Sequence, residues 1–305
     1  MSGSVEIRIQ RVLDAAGVTG FVHAHGIDDD REVALEADAP VVMASVFKIA
    51  VCLELYRQAA AGEVDLAERH LVAAASRSPG PVGLSFMEHD AELSLVDLAY
   101  LMMALSDNAA TDVIIARVGL ERINATLREL GLQRTVVAGD CADIGQAIMD
   151  AVGASSPEDL PPLEDPEVRR RLLACRALDP EVATRTTPRE WTALLAMVWR
   201  GEAGLPASEN GVAWLMGQQF CHARMAGAFP YPPWVGAKSG SLPPDVVNEA
   251  GVVDYLDGRR FAVAVFTRRQ PVGGLPPPGQ PRGAVGRAIG EVARLAVEHL
   301  AITSS

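Results

Sequence analysis

The sequence predicts an α/β (α+β) protein in which an antiparallel sheet is flanked by N- and C-terminal helices, with a mainly helical lobe inserted between the two halves of the sheet. Three observations carry this. Strand-like runs cluster near the two ends of the chain, helical periodicity dominates the stretch between them, and an amphipathic helical pattern stands at each terminus. Residues 1–305 read as a single domain, with residues 1–40 plus 205–305 forming a sheet lobe and residues 41–204 a helical lobe.

The elements follow in order. Val5, Ile9, Val12 and Leu13 fall at helical spacing, which predicts a helix over residues 4–16. Thr19 to Ile27 and Arg31 to Ala37 alternate as the strands of a hairpin around Asp28, Asp29 and Asp30. Pro40 to Ala44 is an approach segment, after which Ser45 to Ala61 turns helical and stops at Gly62. Further helices are predicted at about 65–75, 94–105, 108–118, 120–130 and 188–200. Residues 136–182 carry Pro157, Pro161, Pro162, Pro166 and Pro180, and read as loop with short helices. Trp234 to Ser239, Glu249 to Leu256 and Arg260 to Thr267 are the late strands, the last two joined by an Asp257-Gly258 turn. A Gly/Pro-rich stretch, Gln270 to Gly283, leads into a final helix from Ala284 to Ile302.

Composition excludes several classes. With 27 basic against 39 acidic residues the net charge is -12, and neither a basic stripe for nucleic acid nor a basic amphipathic face for an anionic membrane is present. No apolar run reaches the ~18 residues of a membrane span. Met1 to Ala16 mixes Glu6, Arg8, Arg11 and Asp14 among its apolar residues, unlike the apolar core of a secretory signal, so a cytoplasmic protein is expected. The expected partner is a small-molecule substrate, with no nucleic acid and no membrane. The oligomeric state is not written in these patterns. Cys52, Cys141, Cys175 and Cys221 show no CxxC or Cys/His metal spacing and read as buried free thiols.

Of the 27 basic residues only two are lysines, Lys48 and Lys238; the rest are arginines. An arginine replaces a surface lysine at little cost, but not where an amine must lose its proton. The two lysines are therefore the first places to look for chemistry. Lys48 stands three residues after Ser45 at a predicted helix start, so the two side chains share one face with Cβ atoms about 5–6 Å apart. An amine whose pKa is lowered there can take the hydroxyl proton, and the helix N-terminus offers N–H groups to a developing oxyanion. Ser106-Asp107-Asn108 lies between two predicted helices. Extended, it puts Ser106 and Asn108 on one side as proton relay and substrate ligand, with Asp107 tying down the loop. As a helix-capping cluster, it does neither. Lys238-Ser239-Gly240-Ser241 falls on a predicted strand, where Gly240 permits a close ligand approach. It is not a phosphate loop, because Ala237 occupies the position of the required glycine. No cofactor is expected.

Ser45-x-x-Lys48, Ser106-Asp107-Asn108 and Lys238-Ser239-Gly240, in that order, resemble the active-site motifs of class A β-lactamases and penicillin-binding proteins. The resemblance covers roughly residues 20–270 and includes Arg185-Thr186-Thr187-Pro188 entering a helix. It implies a β-lactamase/transpeptidase-like fold in which Ser45 is the acylated nucleophile, Lys48 its base and Ser106 the proton shuttle. It also implies that Asn108 holds the acyl-side amide and that Lys238 and Ser239 bind the substrate carboxylate, with Arg268 or Arg269 as helper, while Gly240 lets the substrate approach the strand. The backbone N–H groups of Ser45 and Ser241 are then the oxyanion hole.

One departure matters. The Glu-x-x-Leu-Asn stretch that carries the water-activating carboxylate of class A enzymes is expected near Arg169 to Cys175, where no carboxylate stands. Glu164, Glu167, Asp179 and Glu181 are the candidate substitutes, against a reading of each as a solvated charge. Without a dedicated base the acyl-enzyme is hydrolysed slowly. The expectation is therefore an esterase or acyl-transfer enzyme on a small carboxylate-bearing substrate, β-lactam-like or a secondary metabolite. The alternatives are a true β-lactamase with a relocated base and a non-catalytic β-lactam- or ligand-binding protein. Some secreted relatives bridge the nucleophile helix by a disulfide. Cys52 has no partner within Glu92 to Leu105, which agrees with a cytoplasmic location. No metal site is expected. His23 and His25 are read as surface histidines, and Arg169, Arg170 and Arg171 as a solvated helix face. Phe86, Trp214, Tyr231 and Trp234 are candidates for the cleft, or simply for core or rim packing.

Overall fold

A computed structural model describes residues 4–156, 159–163, 165–206, 210–220, 223–229, 233–269 and 282–302. Helix α1 (Val5–Ala15) buries Val5, Ile9 and Leu13, as its spacing dictates. Strands β1 (Val18–Gly26) and β2 (Glu32–Leu35) pair antiparallel with His23 opposite Ala34. After the short β3 (Val41–Val42), a tight turn over Ala44–Phe47 leads into α2 (Lys48–Ala60). Next come β4 (Arg69–Val72), β5 (Ala91–Ser94), α3 (Leu95–Tyr100), α4 (Asn108–Val118) and α5 (Leu120–Glu129). Then follow α6 (Cys141–Val152), α7 (Pro166–Leu173), β6 (Arg185–Thr186), α8 (Pro188–Arg200), α9 (Gly211–Met216) and α10 (Met225–Ala228). The chain closes with β7 (Pro233–Leu242), β8 (Val246–Tyr255), β9 (Arg260–Arg269) and α11 (Arg282–Ile302).

The five-stranded sheet has the order β2-β1-β9-β8-β7 and all its pairings are antiparallel, so the two ends of the chain build it together. Period-two alternation divides β9 between two cores. Val263 and Val265 pack with Ile289, Val292 and Val297 under α1 and α11, while Ala262, Ala264 and Phe266 join the core of α2, α4 and α8. Strand β7 is left at the edge, facing the helical lobe. Gly258 turns the β8–β9 hairpin with a φ of 91°, a region that favours glycine.

Several expectations are corrected. The helix expected over 65–75 is a strand: Asp65 Oδ1 accepts from Ala67 N at 2.9 Å and turns the chain, and residues 69–72 then pair with 91–94. Local helix preference yields to ladder hydrogen bonds there. The short helices expected within residues 136–182 are α6 and α7, capped by Asp140 and Asp165, whereas α9 and α10 were not foreseen. Arg169 is not solvated. It donates to Asp245 at 2.7 and 2.8 Å with its side chain 11% exposed, and Arg269 pairs with the same carboxylate at 3.2 Å. Asp245 thus ties α7 to the β7–β8 turn and to β9. His23 is 3% exposed, not a surface residue; it meets Thr192 Oγ1 at 2.5 Å, Glu32 Oε2 at 3.1 Å and Arg189 Nη1 at 3.1 Å, and burial lowers its pKa. Among the described residues no helix is long and apolar enough to cross a membrane.

Breaking a buried ion pair at one partner costs roughly 3–5 kcal/mol, because the other charge stays buried. Asp245→Asn removes the carboxylate that Arg169 and Arg269 share and leaves the largely buried Arg169 guanidinium without its ion pair, so a loss of that size is expected. The measurement is the urea midpoint at an unchanged slope. A shift under about 1 kcal/mol contradicts the bridging role assigned to Asp245.

Candidate active site

The site lies where the helical lobe meets the free edge of β7. Ala44 takes a φ of 48°, a left-handed conformation that costs an L-residue roughly 1–2 kcal/mol. That kink carries the chain from β3 into the turn holding Ser45, which is half-buried, and one turn on Lys48 is fully buried.

A second strained residue supplies the facing wall. After α3 the chain makes a π-helical turn, Leu101–Leu105, and Ser106 follows with a φ of 66°. Asp107 Oδ1 accepts from Ala110 N at 3.0 Å, capping α4, and its Oδ2 accepts from Leu84 N at 2.6 Å. The link is therefore left-handed rather than extended. Capping and site-building are both realised, since Ser106 and Asn108 reach Lys48 from either side of the cap.

Lys48 Nζ donates to Ser106 O at 2.7 Å and Asn108 Oδ1 at 2.8 Å, with Ser106 Oγ and Asp107 O each at 3.4 Å. Burial lowers the pKa of this amine, opposed by Cys141, Asp112 and Asp107. A neutral amine has two N–H groups, which the two short acceptors occupy, and its lone pair is left for a hydroxyl. Ser45 Oγ makes no hydrogen bond to Lys48 among the described residues. Asn108 is held in turn by donation from its Nδ2 to Pro79 O at 2.8 Å.

On β7, Ser239 N donates to Gln219 Oε1 at 2.6 Å, pointing away from β8. Backbone N–H groups two residues apart in an antiparallel strand point the same way, so Ser241 N–H faces the free edge as well. Gly240 brings that edge against the nucleophile turn, since a Cβ there would lie 2.8 Å from Met43 O and 3.0 Å from Ser45 N. Gln219 is fixed by Glu249, which accepts from its Nε2 at 2.9 Å and from Met225 N at 2.6 Å. Burial raises the Glu249 pKa, against the pull of Arg224 and Lys238. Lys238 stands behind the wall, 1% exposed, donating to Ser239 O at 3.0 Å.

The cleft between these walls has a volume of about 550 Å³. Its far side is α6, which presents Cys141, Ile144, Gly145 and Ile148 at i, i+3, i+4 and i+7. Asp140 caps this helix, and Asp112 accepts from Cys141 N at 2.7 Å and Ala142 N at 3.0 Å. Burial pushes the Cys141 thiol up to about 12, so the residue facing Lys48 is a neutral thiol. No carboxylate lines the cleft among the described residues. Glu167, Asp179 and Glu181 are exposed and lie elsewhere, and Glu164 falls outside the described residues.

The structure thus brings together Ser45, Lys48, Ser106, Asn108, Ser239, Gly240 and Ser241, with Lys238 directly behind. It does not bring Arg268 and Arg269 to the cleft. Arg268 lies 5.7 Å over the Phe21 ring, and Arg269 is held by Asp245. The cation at the edge is Arg224, whose Nη2 donates to Ser241 Oγ at 3.0 Å and Nη1 to Gly240 O at 3.3 Å. Phe86, Trp214 and Trp234 are exposed and do not line the cleft. Tyr231 and Cys221 lie outside the described residues. Cys52, Cys141 and Cys175 are free and buried. Sequence reasoning missed Arg224 and the lining role of Cys141; a lone arginine or thiol carries no spacing signal, and only the packing of α6 and α10 selects them.

A sheet sandwiched between terminal helices and a helical lobe, with such a serine–lysine cleft between and a family model matching nearly the whole chain, defines a β-lactamase/transpeptidase-like serine hydrolase superfamily member. The chain belongs to the beta-lactamase enzyme family, whose model matches residues 4–300. It is 26% identical over 284 residues to the beta-lactamase regulatory protein BlaB of Streptomyces cacaoi, covering 88% of this chain and 90% of that one. A beta-lactamase of Sphaerobacter thermophilus superposes with a TM-score of 0.75 at 24% identity, over 98% of this chain and 97% of its own. A mutant of PBP-A, in an acyl-enzyme complex with penicillin G, gives 0.74 at 21% identity, over 99% and 97%.

Proposed function

We propose that this chain is a serine hydrolase working through an acyl-Ser45 intermediate, with esterase or acyl-transfer activity on a small carboxylate-bearing substrate, β-lactam-like or a secondary metabolite. One observation carries the reading: Ser45, Lys48, Ser106 and Asn108 meet the free edge of β7 in a cleft whose described lining holds no carboxylate. Ser45 Oγ attacks the carbonyl and gives its proton to the neutral Lys48. The N–H groups of Ser45 and Ser241 receive the oxyanion, where one such donor is worth about 10²–10³ in rate. Ser106 passes the proton on to the leaving group. Asn108 Nδ2 turns from Pro79 O to the acyl-side amide, and Lys238, Ser239 and Arg224 supply the field for the substrate carboxylate. The acyl-enzyme then waits for an acceptor, because Cys141 and Ile144 offer water no base. That the PBP-A mutant forms an acyl-enzyme with penicillin G makes penicillin a sensible probe here.

The rival within the same chemistry is a true β-lactamase with a relocated base. Steady-state turnover of a chromogenic cephalosporin beside p-nitrophenyl acetate separates the two: the proposal expects turnover of the ester and a single slow round with the cephalosporin. A second reading, a non-catalytic binding protein that senses β-lactams, is favoured by the regulatory name of the Streptomyces cacaoi relative. It predicts reversible binding with no covalent adduct.

Decay of the penicillin adduct, followed by intact mass, tests the missing base. The wild-type adduct is expected to persist for minutes or longer. Glu164→Gln, Glu167→Gln, Glu181→Gln and Asp179→Asn are each expected to change its decay by less than about tenfold, or about 1.4 kcal/mol. A positioned base is worth roughly 10²–10⁴-fold. One variant that traps an adduct the wild type clears in seconds identifies the base and makes the protein a β-lactamase.

A further inference from the structure

Glu249 is fully buried in β8, on the face where Val247 and Val253 join the core under α1 and α11. An apolar side chain is the ordinary occupant of such a place, and an ionised one is costly there unless each oxygen is answered. Both are answered: Oε1 accepts from Gln219 Nε2 at 2.9 Å and Oε2 from Met225 N at 2.6 Å. We propose that Glu249 is a positioning residue for the carboxylate-binding end of the cleft, fixing Ser239 through Gln219 and Arg224 through Met225. The inference rests on the acyl-Ser45 reading and names what sets that site's preference for a carboxylate-bearing substrate.

Hydrogen-bond polarity carries the argument. A carboxylate only accepts, so Gln219 must turn its Nε2 to Glu249, which leaves its Oε1 for the outward N–H of Ser239 at 2.6 Å. Turned the other way, the Gln219 amide would set an oxygen against the carboxylate and a donor against Ser239 N–H. Held as it is, Ser239 keeps its carbonyl in reach of Lys238 Nζ, which donates to it at 3.0 Å. The ammonium is thereby tied to the same chain of bonds. The second arm runs through the main chain. Met225 directly follows Arg224, whose guanidinium donates to Ser241 Oγ, Gly240 O and Asn248 O. One buried carboxylate thus holds both groups that brace β7 from Ser239 to Ser241, and a fully satisfied buried network of this kind selects a single arrangement. Glu249 does not line the cleft, so it acts through Gln219 and Arg224 and not on the substrate.

The test exchanges the polarity and reads it on two acyl donors, penicillin G with a carboxylate and p-nitrophenyl acetate without one. The readout is the ratio of their acylation rates, which a uniform loss of folded protein leaves unmoved. Glu249→Gln sets an amide against an amide, and Gln219→Glu a carboxylate against a carboxylate. Each is expected to lower the penicillin-to-acetate ratio at least about tenfold, since a misplacement of about 1 Å costs about 10²-fold. Combining the two changes restores the order of donors and acceptors. The new amide at position 249 accepts from Met225 N and donates to the new carboxylate at position 219, which accepts from Ser239 N. The ratio in this double variant is expected within about threefold of wild type. Where a single variant fails to fold, Gln219→Met, which removes the acceptor of Ser239 N without opposing two like groups, is held to the same tenfold loss. An unchanged ratio in the single variants, or no recovery in the double variant, overturns the inference and leaves acyl-Ser45 chemistry standing. A wild type labelled by neither reagent overturns both.

Discussion

Ser45→Ala is expected to reduce acylation by p-nitrophenyl acetate and by penicillin to background, a loss of at least about 10³-fold, because no other hydroxyl stands at the turn that meets Gly240. The fold should survive, since Ser45 Oγ makes no hydrogen bond to a described residue. A variant with a wild-type melting temperature and no adduct is the expected result. Labelling that persists in this variant removes Ser45 from the mechanism.

The second large effect is at the lysines, and there the two positions should separate. Lys48→Met is expected to slow acylation by about 10²–10⁴, or about 3–5 kcal/mol of barrier, for ester and penicillin alike. Burial lowers the Lys48 pKa, so the neutral, active amine prevails above that lowered value and protonates below it. Wild-type acylation should therefore rise with pH to a plateau, and Lys48→Met should flatten that limb. The same change strands Ser106 O and Asn108 Oδ1, costing about 1–3 kcal/mol of stability, so rates must be referred to folded protein. Lys238→Met acts differently. It should weaken acylation by penicillin, which carries a carboxylate, by at least about tenfold and change the acetate rate only a few-fold. An equal loss with both reagents contradicts a carboxylate-binding role for Lys238.

The parts of this molecule that were legible in the sequence are those where chemistry or periodicity restricts residue choice. A chain that uses arginine almost everywhere keeps Lys48 and Lys238, and the structure sets Lys48 against the Ser106–Asn108 wall and Lys238 behind Ser239 of β7. The alternation in β1, β8 and β9 placed the sheet at the two ends of the chain, and α1 and α11 announced themselves by their apolar faces. What stayed illegible depends on long-range pairing. Arg169 and Asp245 stand far apart in sequence, and nothing local distinguishes Arg169 from Arg170, which remains exposed. Arg224 and Arg268 are equally plausible cations on paper, yet the guanidinium of Arg224 reaches Ser241 while Arg268 lies over Phe21. The short helices read within residues 136–182 had no bounds in the sequence reading, although the Asp140/Asp143 capping box marks where α6 starts. Residues 69–72 show the reverse error, where helix-forming side chains sit in a ladder because β5 is there to pair with them.

The most direct test of the central claim is the intact mass of the wild-type protein after incubation with penicillin G, followed by peptide mapping of the product. The account predicts a single covalent increment equal to the whole antibiotic, carried by the peptide containing Ser45 and persisting for minutes. An unmodified protein, or an increment on any other residue, contradicts it.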